Sequence, residues 1–539
     1  MFNLAWIHEA IAERIPHDEC LVYRERRFDW AAVTERTRRL ADVLREHGLG
    51  CHRDRGDLQG HESGQDHVAL YLYNGNEYLE GMLGCFKARV APVNVNYRYV
   101  GEELIYLFEN SGVRAVIYHA CFAPTLERIR DRLPEIRLWI QVADESNETL
   151  LEGAVDYEAA LASAHATPPV NLSPDDLYIL YTGGTTGKPK GVLWRQEDFF
   201  RSAVYTTPVR SVDEVIESLR PARFRCLPTP PFMHGAAHWA AFNFWYSGGT
   251  VIVQSQPRRL DADDIWSTVE RERVTAVTIV GDAFARPLID QLAAKDYDVS
   301  SLRLLTSGGA ILTAALKREL IECIPGLRIR DTLGSSESGS QAAQSTTDAG
   351  AATTGDFELA PDSLVLREDM GGALSAGSDE RGWLARSGRV PLGYLGDPDK
   401  TAETFPTIDG VRYSVPGDRA ILEADGRLRL LGRDSATINS GGEKIFAEEV
   451  EHALKHHPDV YDAVVVGTPD DRFGQAVTAI VHLRDGASPD DTSLSDVVRE
   501  QLARYKTPRR YVYVDEITRS PSGKPDYRWA RETAGNALT

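Results

Sequence analysis

No stretch of the 539 residues approaches ~20 uninterrupted apolar positions, so no helix of this chain is expected to cross a bilayer. The amino terminus, MFNLAWIHEAIAERIPHDEC, lacks the basic start and unbroken apolar core of a secretory signal. Instead Leu4, Ile7, Ile11 and Ile15 recur at helical spacing between acidic residues. Cysteine is scarce: Cys20, Cys51, Cys85, Cys121, Cys226 and Cys323 lie far apart and form no C-x-x-C pair. That argues against a zinc site and a disulfide framework, and reduced thiols in a cytoplasmic protein are expected. Positive charge is outnumbered, 60 Lys and Arg against 80 Asp and Glu, for a formal net charge of −20. Nucleic acid and anionic lipid are therefore not expected as partners, because both need a basic footprint. Small anionic substrates remain compatible, since local donors can hold them.

The chain exceeds the ~250–300 residues at which a single core stops growing, so two or three domains are expected. Helical and strand-like segments alternate through the first 170 residues or so. "AAVTERTRRLADVLREHGL" carries a helical period through Val33, Leu40, Val43 and Leu44, whereas "HVALYLYN" and "RAVIYHA" read as short buried strands. Residues 51–66 and 341–356 are polar and small, and both read as loops. "GTVIVQ", "AVTIVG" and "LRLLTSGG" continue the strand–helix alternation, which points to a layered α/β fold. The last hundred residues read as a separate small α+β unit, with helices at "AEEVEHALKHH" and "LSDVVREQLARY" and strands at "DAVVVG", "AVTAIVHL" and "RYVYV". The expected division is a large domain over 1–432 and a mobile lid over 433–539, with the junction at "GRDSA".

The densest chemistry lies in "YTGGTTGKPKG" (181–191), directly after the apolar strand "LYILYT". Gly183, Gly184 and Gly187 allow the backbone to approach phosphate oxygens; Thr182, Thr185 and Thr186 add hydroxyl donors, and Lys188 and Lys190 add charge. A Walker A loop is excluded. Its first glycine would have to be Thr182, and Pro189 stands where Ser or Thr should follow the lysine.

This loop resembles the phosphate-binding signature of the adenylate-forming superfamily, which includes acyl-CoA synthetases, luciferases and peptide-synthetase adenylation domains. Other segments resemble the family's further motifs in order, over essentially the whole chain. "SGGA" would line adenine through Gly308, Gly309 and Ala310. "RDTLGSSESG" resembles the Y-G-x-T-E segment and supplies Asp331, Gly334, Ser335 and Ser336; Leu333 replaces the usual aromatic and Ser336 the usual threonine. The resemblance implies that Glu337, with Thr182, holds Mg²⁺ between ATP phosphates, a role suited to hard oxygen donors. Asp418 of "YSVPGDRA" would hold the ribose hydroxyls, and Arg433 of "LLGRDSATINSGGEKIFAEEVE" would lie near ribose and phosphate. Ser435 maps onto the hinge, and Ser440, Gly441 and Gly442 would line a pantetheine tunnel. Lys524 of "SPSGKPDYRWA" matches the lysine that stabilises charge developing during adenylation.

"PPFMHGAAHWAAFNFWY" resembles the segment lining the acyl pocket, where His234 takes a commonly aromatic or histidine position. It holds no Asp or Glu to pair a substrate ammonium, which favours an acid without an α-amine. With "NVNYRYVGEELIYLFENS", "RVPLGYLGDPDKTAETF" and "NSGGEKIFAEEVE", the chain looks most like actinobacterial acyl-CoA ligases of sterol side-chain degradation. The resemblance thus implies an ATP-dependent acid–thiol ligase using Mg²⁺ and coenzyme A, with Lys524, Glu337 and His234 catalytic and a bulky, apolar, steroid-like acid favoured. A medium- or long-chain fatty acyl-CoA ligase, an acyl-AMP ligase feeding a carrier protein, and a non-catalytic nucleotide sensor are the alternatives. The oligomeric state stays open, a homodimer among the options.

Overall fold

The computed structural model describes residues 1–539 apart from 183–187, 206, 221–223, 441–442, 471 and 538–539. A large α/β body carries a smaller α+β unit at the carboxyl end. Two parallel layers dominate the body. In the first, strands Glu19–Tyr23, Thr250–Val253, Arg225–Pro228, Ala276–Ile279, Leu304–Gly308 and Arg328–Ser335 run side by side in that order. In the second, Ala91–Asn94, His67–Tyr71, Val113–His119, Leu138–Val142 and Val155–Asp156 form another parallel sheet. Strands such as His67–Tyr71 are buried at each residue, as expected where helices cover both faces. Among the described residues, no helix is long and apolar enough to cross a membrane.

The helical period at Val33, Leu40, Val43 and Leu44 becomes helix Trp30–Glu46, whose amino end is capped by Asp29 Oδ1 accepting from Ala32 N at 2.7 Å. The stripe at Leu4, Ile7 and Ile11 becomes helix Leu4–Arg14, capped by Asn3. Segment 341–356 departs from the loop expectation: Gly339–Thr346 is a strand antiparallel to Arg328–Ser335. Its small side chains carry little β propensity of their own. Pairing with its neighbour and burial of Gln341 and Ala342 decide its state.

Past this strand the sheet turns antiparallel through Asp356–Leu359, Arg427–Arg433 and Asp418–Leu422. The 3₁₀ turn Asp434–Ala436 then leads into a second unit built on Thr437–Ser440, Glu443–Phe446, Val460–Asp470, Gly474–Leu483 and Arg510–Tyr513. Its own core includes Val450, Leu454, Val465, Ala479 and Val498, so it buries apolar surface independently of the large body.

Candidate active site

The parallel strands of the first layer end at one rim, where a cavity of about 1420 Å³ opens. Ligands favour this side of parallel α/β sheets, beyond the carboxyl ends of the strands. Helix Gly235–Trp245 forms the opposite wall. Buried asparagines fix the cavity's upper edge. Asn94 Nδ2 donates to Tyr181 O at 2.9 Å and to Met233 O at 2.7 Å, and its Oδ1 accepts from Tyr181 N at 2.7 Å. Asn74 Nδ2 donates to Pro230 O at 3.0 Å, and its Oδ1 accepts from Phe232 N at 2.6 Å. These amides lock the end of strand Leu177–Thr182 to the segment that carries His234.

Thr182 closes that strand and lines the cavity. Gly183, Gly184, Thr185, Thr186 and Gly187 lie outside the described residues, as do Gly441 and Gly442. Lys188 places its ammonium 4.4 Å from the centre of the Tyr106 ring. Lys190 was expected at phosphate, but its ammonium is already ion-paired with Asp397. This pairing ties the loop's exit strand to the start of helix Pro398–Thr404.

Gly308 and Gly309 line the rim. A side chain on Gly308 would strike Thr332 Oγ1 at 2.6 Å, and one on Gly309, at φ +89°, would sit 3.7 Å from Lys524 Cε. Ala310 departs from its expected place: it packs on Gly281 and the apolar core behind the strand. Asp331 departs too. Strand alternation turns it away from the cavity, where it pairs with buried Lys317 at 3.0 Å. Burial pushes its carboxyl up to about 6 against the opposing pull of Lys317. Lys317→Met is expected to destabilise the large domain by about 3–5 kcal/mol, because it strands a buried carboxyl. Urea denaturation reads this, and Lys317→Met/Asp331→Leu should recover most of the loss.

Leu333, Gly334, Ser335 and Ser336 border the cavity. The strand bulges between Leu333 and Gly334, and a side chain on Gly334 would lie 2.2 Å from Gly339 O. Glycine there is a packing requirement. Trp194 Nε1 donates to Ser336 O at 2.8 Å, and Ser414 Oγ donates to Glu337 O at 2.6 Å. Tyr394 Oη donates to Glu337 Oε1 at 3.0 Å and so orients the carboxylate. Tyr394 and Asp397 are absent from the sequence-based site. Both lie in "GYLGDPDKT", and only long-range folding brings them to Glu337 and Lys190.

Asp418 and Arg433 face each other across paired strands, with Arg433 Nε 3.3 Å from Asp418 Oδ1. The Asp418 and Glu337 carboxylates raise the Arg433 guanidinium above its usual value against the effect of burial. Lys524 projects from the small unit into this cluster. Desolvation in the cleft lowers its ammonium's pKa; Arg433 lowers it further, while Glu337 and Asp418 oppose the shift. His234 Nε2 is buried without a hydrogen-bond partner among the described residues. Burial and the nearby Lys524 charge hold this imidazole at about 3, so it is neutral at pH 7. Ser440 sits in the hairpin Thr437–Ser440/Glu443–Phe446 and is not part of the cavity wall. In this arrangement the small unit presents its Lys524 edge instead.

The structure therefore brings Arg433, Asp418 and Glu337 within electrostatic reach of Lys524, and Lys524 lines the cavity with Gly308, Gly309 and Thr182. It leaves Ala310, Asp331 and Ser440 elsewhere. For a divalent cation the donor set is small: the Glu337 carboxylate and the Thr182 hydroxyl. The described residues hold no cluster of three or more His, Cys, Asp or Glu able to cage a metal. That set suits Mg²⁺, which takes one or two protein oxygens and completes its shell with phosphates and water.

Residues 8–362 match the family model of AMP-binding enzymes, and residues 449–524 match that of the AMP-binding enzyme C-terminal domain. The medium-chain acyl-CoA ligase Mig of Mycobacterium avium is 51% identical over 543 residues, covering 99% of this chain and 98% of that protein. A medium/long-chain-fatty-acid–CoA/3-oxocholest-4-en-26-oate–CoA ligase of Mycobacterium marinum is 41% identical, covering 98% and 96%. Among solved structures, the anthranilate CoA ligase AuaEII in complex with anthranoyl-AMP superposes with a TM-score of 0.83 at 23% identity, covering 100% of this chain and 98% of that one. ATP-bound MatB from Rhodopseudomonas palustris gives 0.81 at 22% identity, covering 100% of both. These two likenesses concern the fold.

Proposed function

Because this chain belongs to the AMP-binding enzyme family, we propose that it joins a medium- or long-chain carboxylic acid to coenzyme A through an acyl-adenylate. The observation that carries this reading is the convergence of Arg433, Asp418 and Glu337 on Lys524, which itself lines the cavity. The straight-chain acid takes precedence over the steroid acid suggested by sequence. The relative at 51% identity is named for medium-chain acids alone, whereas the one at 41% is named for fatty and steroid acids together. A steroid acid is the second reading, supported by the latter name.

In this reading Thr182 and the loop after it bind the ATP phosphates, Gly308 and Gly309 form the floor under the nucleoside, and Leu333 gives adenine an apolar contact. Asp418 accepts from the ribose hydroxyls, since a carboxylate takes two donors at once. Glu337, oriented by Tyr394, and Thr182 would hold Mg²⁺, which when bound neutralises phosphate charge. The acid's carboxylate attacks the α-phosphorus and pyrophosphate leaves, forming the mixed anhydride. Lys524 contributes a fixed ammonium where negative charge develops. His234, neutral and buried, shapes the space beside the carboxylate without adding charge. Rotation about Asp434–Ala436 then withdraws Lys524 and brings the Ser440 hairpin to the same rim for thiol attack.

Incubation with ATP, Mg²⁺, coenzyme A and a panel of C6–C16 and steroid acids tests the reading. Acyl-CoA, AMP and pyrophosphate are expected in equal amounts. Adenylate that accumulates with coenzyme A present, and passes only to a phosphopantetheinyl carrier, would sink it.

A further inference from the structure

Lys524 reaches the cavity from the small unit, so its position there depends on how that unit seats on the large body. Helix Gly281–Ala294 of the large body forms part of the seat. It follows strand Ala276–Ile279 after Val280, so its first turn stands at the carboxyl end of the parallel sheet. Val280 lines the cavity described above, and Asp282 lines a neighbouring cleft of about 990 Å³ between the two units. Hydrogen bonds hold this turn in place. Gly281 N donates to Ser307 Oγ at 3.1 Å, and Asp282 N donates to Ile311 O at 2.9 Å. The Asp282 carboxylate is fixed as well, because its Oδ1 accepts from Thr313 N at 2.8 Å.

Two parts of the small unit meet the same turn. One is the segment that carries Lys524. Gly523 packs on the helix so closely that an added Cβ would lie 3.1 Å from Phe284 Cε2 and 3.3 Å from Ala283 Cβ. The other is Lys455, at the end of helix Ala447–Leu454, whose ammonium stands 3.7 Å from Asp282 Oδ2. Burial alone would lower the pKa of this ammonium; Asp462 and Asp282 outweigh that and hold it above its usual value.

From Lys455 the contacts run on through the small unit to Lys524. Lys455 Nζ lies 3.2 Å from Asp462 Oδ1. Arg519 grips the Asp462 carboxylate through Nε at 2.8 Å and Nη2 at 2.7 Å, the two-pronged geometry that fixes a guanidinium in place. Its Nη1 donates to Gly523 O at 2.9 Å, the carbonyl of the peptide that leads into Lys524. The turn is closed by Gly523 N donating to Ser520 O at 2.8 Å and Ser520 N donating to Lys524 O at 2.9 Å. One carboxylate of the large body is therefore linked, through three side chains, to the backbone of the residue that carries the ammonium. Further along the same helix the contact is looser, with Tyr461 Oη 3.5 Å from Asp290 Oδ2 at an exposed edge.

We propose that Asp282 is a positioning residue for adenylate formation: it engages Lys455 when the small unit is seated and, through Asp462 and Arg519, fixes the Gly523–Lys524 turn over the cavity. Lys455 and Lys524 belong to the same unit, so rotation that withdraws one parts the other from Asp282, and transfer to coenzyme A proceeds without the contact. This rests on the acyl-CoA ligase reading above and assigns a seat for its first step.

Pyrophosphate exchange with the best acid of the panel above, and transfer of supplied acyl-adenylate to coenzyme A, test the proposal on the full chain. Asp282→Asn removes the charge and keeps an oxygen for Thr313 N. The Asp282 side chain is 13% exposed and that of Lys455 17%, so the pair lies between an exposed one and a fully buried one. Asp282→Asn is accordingly expected to lower exchange about tenfold, between the slight effect of breaking the former and the heavy loss on breaking the latter. The loss should fall on kcat, with the KM for ATP and the transfer step unchanged. Lys455→Gln should give the same pattern, and the two substitutions together should cost little more than either alone, as partners in one contact do. A merely structural role would depress both half-reactions together, which would overturn the proposal. Undiminished exchange in Asp282→Asn would overturn it too, as would losses that multiply in the double variant. An unmodified chain that exchanges pyrophosphate with no acid would sink the ligase reading, and the seat with it.

Discussion

Lys524→Ala is expected to slow adenylate formation about 10²–10³-fold while sparing the transfer of a supplied acyl-adenylate to coenzyme A. The reason lies in where the ammonium sits. It reaches the rim from the small unit, beside Gly309 and within the electrostatic reach of Arg433, Glu337 and Asp418. Desolvation there lowers its pKa, although the side chain keeps an exposed face that bound substrate would cover. A charge so placed is worth more to a developing anion than one in bulk solvent. Its benefit is confined to the step in which carboxylate and α-phosphate oxygens share negative charge. In the proposed reaction, thiol attack on the finished anhydride takes place in a second arrangement, with Lys524 withdrawn. Pyrophosphate exchange reads the first step, and acyl-CoA release from synthetic acyl-adenylate reads the second. Equal loss in both would contradict a division of labour between two arrangements. Loss in neither would remove Lys524 from the chemistry altogether.

Much of this arrangement is legible in the sequence because it is local. The apolar strand ending at Thr182, the turn glycines 308 and 309 and the Gly-Lys step at 523–524 each announce themselves within a few residues. The two-unit α/β and α+β layout follows from strand–helix alternation and the change of pattern in the last hundred residues. What escaped is long-range or periodic. Asp331 lies in a recognisable motif, yet strand alternation puts it with Ile329 on the core side, where Lys317 holds it. A period of two applied to "RIRDT" identifies this placement. Tyr394 and Asp397 act on Glu337 and Lys190 from far along the chain, and neither has a spacing that declares it. Segment 341–346 carries almost no strand signal and is a strand through its partner. Ala310 follows two true rim glycines, but the chain has already turned inward toward Gly281.

The junction between the two units yields the last prediction. Helix Ala447–Leu454 of the small unit sets Glu448 against Gly432, whose φ is +129° and where an added Cβ would meet Glu448 Oε2 at 2.4 Å. That oxygen is buried and has no hydrogen-bond partner among the described residues. Burial pushes the Glu448 carboxyl from 4.5 up to about 8; Glu451 and Asp418 push the same way, and hydrogen bonds with the backbone at Arg433 and at Glu448 itself oppose them. A proton therefore binds more tightly in this docked arrangement than when rotation exposes the side chain to water. Below 4.5 both arrangements hold the proton, and docking is indifferent to pH. Between 4.5 and about 8 only the docked one holds it, so docking weakens as pH rises. Above that range both are ionised and the full penalty remains. Glu448→Gln keeps the side chain neutral throughout. The ratio of variant to unmodified rate in pyrophosphate exchange is expected to climb with pH across this window and level off near its upper end. The same substitution should slow acyl transfer to coenzyme A, because it favours the arrangement that must be left. Gly432→Ala is expected to act oppositely: its methyl displaces the Glu448 carboxyl, and the left-handed backbone adds about 1 kcal/mol or more of strain. A pH-independent ratio for Glu448→Gln would place the carboxyl in water in both arrangements and remove it from control of the rotation.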